Sequence, residues 1–394
     1  MSDNIYNHDY ILSYEKIVQE LHDLVTDPIY QSKITKKDPI GYTSFGYPMD
    51  YYTIGTGNYH VLLLGATHGS ELITVYFIRE WITSLLKDEA IYQEYSKRFT
   101  FHILPILNVE GYIISSSNVL ANFESFSKGN RFEIEKKSSR YLNAYNIDDA
   151  MAKQNVCCPK YYKKVLKSSL SYIPDTKLIK SIASILACCH LQEDVLPIWS
   201  ANGLGYDPNS NSIHKLKEMK LLRRMQRYAA LRYNDITVCE PSPISYPGQK
   251  PLDPHCPENV CLFHFINSLY SSHLKQKENR LLAIFSYHAT GGEIYGYPNE
   301  EYATKKQMQL HIQAMQTYAS MTGYTPINEK LKYGVMDFYR IALDQVATLT
   351  IELSKKNANP IGPFSNLSDM LEEIKDNKKA LLQTIDMLSS NMNS

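Results

Sequence analysis

Apolar residues recur along the chain in two rhythms. Val61-Leu-Leu-Leu64 is an unbroken branched run, the pattern of a strand buried on both faces. From Leu72 to Leu86 the apolar positions recur at three and four residues, the pattern of a helix with one buried face. Between them lies a polar knot, Gly65-Ala-Thr-His-Gly-Ser-Glu71. A second buried strand is predicted over Arg98–Leu107, ending in a turn at Asn108-Val-Glu-Gly111. Strand, helix and strand within about fifty residues make a βαβ unit, and hence a parallel core sheet.

The same reading extends in both directions. Upstream it predicts an amphipathic helix over Tyr10–Val25, then a strand over Met49–Gly55 with a hairpin turn at Gly55-Thr-Gly57. Downstream it predicts helices over Ile213–Tyr233, Pro257–Lys275, Lys305–Thr322 and Asn366–Leu388. Strands are predicted at Leu281–His288 and Val346–Leu353, and a proline-rich loop at Glu240–Pro254. Residues 115–196 differ: periodicity weakens, Lys and Ser are dense, and only Lys177–Leu191 looks helical. Sheet-like patterning resumes afterwards, so this stretch reads as an insertion in a host domain. A second domain is the alternative.

Composition narrows the class without naming a function. The 394 residues are 44% hydrophobic and 21% charged, which is ordinary globular usage. Lys+Arg equals Asp+Glu, so no basic field points to nucleic acid. No run reaches the roughly 18 apolar residues of a membrane helix. Neither a nucleic-acid nor a membrane partner is expected. The first ten residues lack the pattern of a secretion signal. The seven cysteines include the adjacent pairs Cys157-Cys158 and Cys188-Cys189 and match no zinc-finger spacing, so they read as reduced thiols in a cytoplasmic protein.

Chemistry gathers at strand ends. His68 and Glu71 sit on the turn from a strand into a helix, where open α/β sheets bind ligands. Two readings stand side by side. His68 can simply satisfy a loop, with Glu71 placed in the first turn by the helix dipole. Or the pair holds an ion: His288 and Glu352 also lie at strand ends, and His with Glu and a second His makes a catalytic zinc set with one open position. Glu352 is then the candidate base for a water whose pKa the metal lowers.

Seven segments in order resemble the zinc carboxypeptidase family of carboxypeptidase A type. They are His68-Gly-Ser-Glu71, Asn108-Val-Glu-Gly-Tyr112, Trp199-Ser-Ala-Asn-Gly-Leu-Gly-Tyr-Asp-Pro-Asn209, Tyr246-Pro-Gly-Gln-Lys-Pro-Leu252, Ser286-Tyr-His288 with Gly291-Gly-Glu-Ile-Tyr295, Gly334-Val-Met-Asp-Phe338 and Thr350-Ile-Glu-Leu353. Within the family the chain looks most like the bacterial γ-D-glutamyl-diamino-acid peptidases that cut cell-wall stem peptides. The resemblance implies an α/β fold of three layers, a mixed, mostly parallel twisted sheet flanked by helices. It implies one catalytic domain over residues 1–394 with the insertion at about 115–196. It also implies one zinc ion on His68, Glu71 and His288, with Glu352 as general base. Asp207 would hold a ligand histidine in its tautomer from behind, and Asn209 would bind the substrate's terminal carboxylate.

The departures bear on substrate. The arginine that usually follows that asparagine is Ser210, which takes its place among the substrate-binding positions, and Ser70 stands where an arginine often precedes the ligand glutamate. A bidentate grip on an ordinary C-terminus is therefore missing. The transition-state arginine falls within the insertion, with Arg131 and Arg140 as candidates, and Tyr333 is the candidate for the family's mobile tyrosine. The expected activity is hydrolysis of γ-D-glutamyl-diaminopimelate bonds in muropeptides. The alternatives are a carboxypeptidase on ordinary peptides and a catalytically impaired peptide-binding protein.

Overall fold

The computed structural model of the chain describes residues 13–121, 173, 175–188, 196, 199–211, 241, 243, 246, 252–275, 279–298, 303–328, 334–354 and 367–393. In chain order the elements begin with α1 (Tyr14–Thr26), capped by the Ser13 hydroxyl. Then come β1 (Ile34–Lys37), β2 (Tyr51–Ile54), β3 (Tyr59–Leu64), α2 (Leu72–Lys87), α3 (Glu89–Ser96), β4 (Phe99–Leu104) and α4 (Val109–Ala121). After these lie α5 (Thr176–Cys188), α6 (Pro257–Lys275), β5 (Arg280–Ala289), β6 (Glu293–Tyr295), α7 (Lys305–Thr322), β7 (Thr325–Ile327), α8 (Val335–Ala342), β8 (Ala347–Leu353) and α9 (Leu367–Asn393).

The eight strands form one sheet in the order β1-β2-β4-β3-β5-β8-β6-β7. Its centre is parallel: β3 pairs with β4 and β5, and β5 pairs with β8. Antiparallel partners flank that centre, β2 against β4 and β6 against β8. Val61 to Leu64 are fully buried, as a central strand covered on both faces requires. Successive residues of β4 show the two covering layers. Phe101 meets Trp81 of α2 edge-on at 4.8 Å between ring centroids, while His102 faces Phe265 of α6. The architecture is the expected α/β sandwich of three layers.

Parallel order has one consequence for function. β3, β5 and β8 end on the same edge of the sheet, with Leu64 level with Ser286 and His288 level with Glu352. The turn leaving β3 is squeezed against its neighbours. A side chain on Gly69 would run into the backbone of Gly111, and Gly65 lies as close to the Pro105 carbonyl. Glycine is what lets the turn approach α4.

Some elements differ from the sequence reading. Asn108-Val-Glu-Gly111, read as a turn, is the start of α4. Asn108 accepts from the Gly111 N–H, and its carbonyl accepts from Tyr112 N, so the glycine sits inside a capped first turn. The helix then runs through Ser115–Asn118, all buried, into the stretch read as an insertion. The strands β1, β6 and β7 and the helices α3 and α8 were not anticipated; each spans eight residues or fewer and is too short to declare a period. The predicted helix over Ile213–Tyr233 lies outside the described residues, as do Cys157, Cys158 and Cys189.

Two buried polar clusters make testable statements about stability. Arg340 on α8 pairs with Asp337 one turn earlier and donates to the carbonyls of Thr348 and Tyr295 and to the Thr350 hydroxyl. It pins α8 onto β8. Arg340→Leu strands a buried carboxylate and is expected to cost about 3–5 kcal/mol in denaturant unfolding; a loss below about 1 kcal/mol would show that the pair is not structural. His102 receives the Tyr51 hydroxyl at 2.5 Å and lies 2.7 Å from His60 Nδ1. Burial, then the neighbouring His60 and Lys37, push its pKa down to about 3. The folded state therefore binds this proton less readily than the unfolded chain. The stability held by neutral His102 is complete above about pH 6.5 and is lost by up to about 1.4 kcal/mol per pH unit as pH falls towards 3. His102→Gln is expected to flatten unfolding free energy in that window; an unchanged slope would assign it to other groups.

Candidate metal centre

Two segments deliver three donor residues to one point. His68 and Glu71 come from the β3–α2 turn and His288 from the end of β5. One ligand atom from each lies within 4.8 Å of the others. Glu71 sits between the two rings: His68 Nδ1 is 2.7 Å from Oε1 and His288 Nδ1 is 3.2 Å from Oε2. The rings meet edge-on with centroids 5.0 Å apart. The far side of His68 is closed by Asp207, whose Oδ1 lies 3.4 Å from Nε2. That carboxylate leaves Nδ1 as the nitrogen turned inwards.

The electrostatics fit a cation. Glu71 is buried, its Oε2 accepts no hydrogen bond, and no lysine or arginine pairs with it among the described residues. Burial alone would raise its pKa, but His68 and then His288 reverse this and hold the carboxyl below its usual range. Likewise burial would lower the His68 pKa, while Glu71 and Asp207 carry it well above the ordinary imidazole value. Asp207 is itself kept low, against its burial, by His68 and by bonds from Ser210 and the Asn209 N–H. Buried carboxylates and imidazoles that prop one another up in this way, with donor atoms free to turn towards a common centre, form a set that a divalent ion would satisfy. The nitrogen, nitrogen, oxygen composition is that of a catalytic zinc site with an open position.

Glu352 adds the acid–base group. It sits on β8 in register with His288, on the face that also carries Thr350. Burial pushes its pKa up to about 7; His288 and His68 lower it, and Glu71 and Glu293 raise it. A group poised there takes or gives a proton near neutral pH.

The loop that carries Asp207 is built from buried hydrogen bonds. Asn108 donates to the Ser200 carbonyl, and Glu110 accepts from the Gly203 and Phe45 N–H groups. The Asn202 side chain accepts from Leu204 and Tyr206 N–H and donates to Glu258 and to the His255 carbonyl. Burial, then Glu110, push Glu258 up to about 8. Glu110, Asn202 and Glu258 thus set the loop's shape, a role the sequence reading gave to none of them. The residues that carry the signal lie in Asn108-Val-Glu-Gly111, which reads as a turn, and in Trp199-Ser-Ala-Asn202, which enters as part of a family-like segment.

The remaining candidates divide. Asn209 Oδ1 accepts from the Val335 N–H at the start of α8, which turns its amide N–H groups away from that bond. The Ser210 hydroxyl turns back to Asp207 at 2.6 Å. Ser70 meets Ser200. Arg131, Arg140 and Tyr333 lie outside the described residues.

With this geometry in hand, the comparisons with known proteins agree in kind. Residues 22–148 match the family model for zinc carboxypeptidases, the part that contains His68 and Glu71. The fold is similar to bovine thrombin-activatable fibrinolysis inhibitor, solved in complex with tick carboxypeptidase inhibitor, with 15% identity over 97% of this chain and 99% of that one (TM-score 0.58). It is similar to carboxypeptidase A from Helicoverpa armigera, with 13% identity over 100% of this chain and 78% of that one (TM-score 0.57). It is also similar to a metallo-carboxypeptidase from Burkholderia cenocepacia, with 12% identity over 95% and 70% of the two chains (TM-score 0.52). At these identities the likeness is one of fold. A comparison with curated proteins finds no match.

The centre makes a direct prediction. Protein dialysed after loading should retain about one zinc per chain by elemental analysis. His68→Ala and His288→Ala should retain almost none, and Asp207→Asn should bind about 10- to 100-fold more weakly. Equal zinc in all four proteins would rule out this centre.

Proposed function

We propose that this chain, a zinc metallopeptidase with the carboxypeptidase fold, hydrolyses the bond between γ-D-glutamate and a diamino acid such as diaminopimelate in muropeptides. We place the reaction in the cytoplasm, a reading supported by the unpaired state of Cys188, Cys256 and Cys261.

His68, Glu71 and His288 would hold the zinc, which supplies a Lewis acid for the scissile carbonyl and lowers the pKa of a water towards about 7. Glu352, level with His288, accepts the proton of the attacking water and returns it to the leaving nitrogen. Asp207 fixes the His68 ring, and Ser210 fixes Asp207. Asn209 offers its amide N–H groups to a substrate carboxylate, with its carbonyl already spent on α8. Gly334, whose Cα faces Asn209 at the head of α8, follows Tyr333 directly. Tyr333 is the candidate for the tyrosine that reaches the substrate. Arg131 is the candidate for the oxyanion.

One observation carries the choice of substrate. The position where a carboxypeptidase would present a guanidinium holds Ser210, and its hydroxyl is committed to Asp207. Among the described residues, an ordinary C-terminal carboxylate would meet the Asn209 amide there without a two-pronged partner. A diaminopimelate end, with its second amino-acid centre, depends less on that one grip.

The test is turnover of L-Ala-γ-D-Glu-meso-diaminopimelate beside a panel of ordinary peptides with free C-termini. Cleavage of the first at a rate at least tenfold above the panel is expected. Glu352→Gln should lower kcat by about 100- to 10,000-fold with zinc content unchanged. Preference for the ordinary peptides would make the chain a conventional carboxypeptidase, and Glu352→Gln activity equal to that of the parent would remove Glu352 as base.

A further inference from the structure

The row that holds His288 and Glu352 does not end with them. β6 pairs antiparallel with β8, and the residue level with Glu352 is Glu293. Partners level across neighbouring strands put their side chains on one face of the sheet. His288, Glu352 and Glu293 therefore form a line across β5, β8 and β6. The alternation agrees: in β6 and β8, Glu293, Tyr295, Thr350 and Glu352 are partly exposed on that face, while Ile294 and Ile351 are buried on the other.

Glu293 is held but not neutralised. Its carboxylate accepts from the Tyr295 hydroxyl, which fixes its direction, and Gly291 and Gly292 precede it with no side chains to crowd it. Among the described residues no lysine, arginine or histidine pairs with it. Three nearby carboxylates do have cationic or imidazole partners: Asp337 has Arg340, Asp207 has His68, and Glu71 has two imidazoles. Glu293 instead stands beside a second acid, an arrangement of like charges that costs stability in a sheet. A site keeps such a charge at low cost when a bound cation completes it.

We propose that Glu293 is the specificity residue for an ammonium group on the substrate, selecting peptides in which the residue beside the scissile bond carries a second amine. The inference rests on the cell-wall reading above and sharpens it: Glu293 is the group that tells a diamino acid from its monoamino analogue. The ammonium donates to the Glu293 carboxylate while Asn209 holds a carboxylate elsewhere on the same substrate. No bond forms or breaks at Glu293.

The experiment is a binding titration with full-length, zinc-loaded Glu352→Gln protein, which retains substrate without turnover. The probes are L-Ala-γ-D-Glu-meso-diaminopimelate and the same peptide ending in 2-aminopimelate, which lacks the second ammonium. The first is expected to bind roughly 10- to 100-fold more tightly, the range of a hydrogen bond between charged groups. Adding Glu293→Gln should abolish the preference and leave affinity for the second probe within about twofold, while Glu293→Asp should restore part of it. A preference that survives Glu293→Gln overturns the assignment, as does equal binding of both probes to the parent; in either case the cell-wall reading stands. Failure of both probes to bind overturns that reading and this inference together.

Discussion

A buried carboxylate caught between two imidazoles is the constraint on which the rest of the structure depends. Glu71 has no lysine or arginine partner among the described residues, and an isolated charge in such a place is costly. The imidazoles on either side hold it, and a divalent ion bound among the three groups would satisfy them together. Much of the surrounding fold is what such an arrangement needs. Parallel β3, β5 and β8 bring their ends to one edge. Glycines at 65 and 69 let the β3–α2 turn press against its neighbours. The 199–211 loop arrives from the other side to put Asp207 behind His68.

That loop shows how a site is held by groups that never touch a substrate. Asp207 can orient His68 only if its own oxygens are fixed, and they are, by the Ser210 hydroxyl and the Asn209 N–H. The loop bearing them is fastened through Asn202, Glu110 and Glu258, all buried. Buried polar groups of this kind are tolerable because nearly every donor meets an acceptor. The same loop reaches α8 through Asn209, so Asp207 behind His68 and Asn209 at the head of α8 share one support. Ser210 serves the first of these, through its hydroxyl on Asp207.

The sequence disclosed the centre of this picture better than its rim. The β3 strand, the α2 helix and the β5 and β8 strands each carry a long run or a clear period, so their ends, and with them His68, Glu71, His288 and Glu352, could be placed before any coordinates. Strand order could not be read directly, but a βαβ unit with histidine and glutamate at later strand ends made convergence on one edge the natural expectation. What stayed hidden was short or nonlocal. β6 has three residues and no period, so nothing in the pattern marks Glu293 as part of a strand. The glycine in Asn108-Val-Glu-Gly111 masked a helix start that only the Asn108 side chain reveals. Glu258 sits 56 residues from the amide it supports, a distance at which no spacing rule applies. Helix α8 depends on Arg340 reaching three strand groups, a contact visible only once β8 and β6 lie beside it.

The most direct measurement is a crystallographic anomalous difference map recorded just above the zinc edge on zinc-loaded protein. The account predicts one strong peak, about 2.0–2.2 Å from a nitrogen of His68, a nitrogen of His288 and an oxygen of Glu71, with Glu352 facing its open side. A map with no peak among these residues, or with its strongest peak bound elsewhere on the chain, would contradict it.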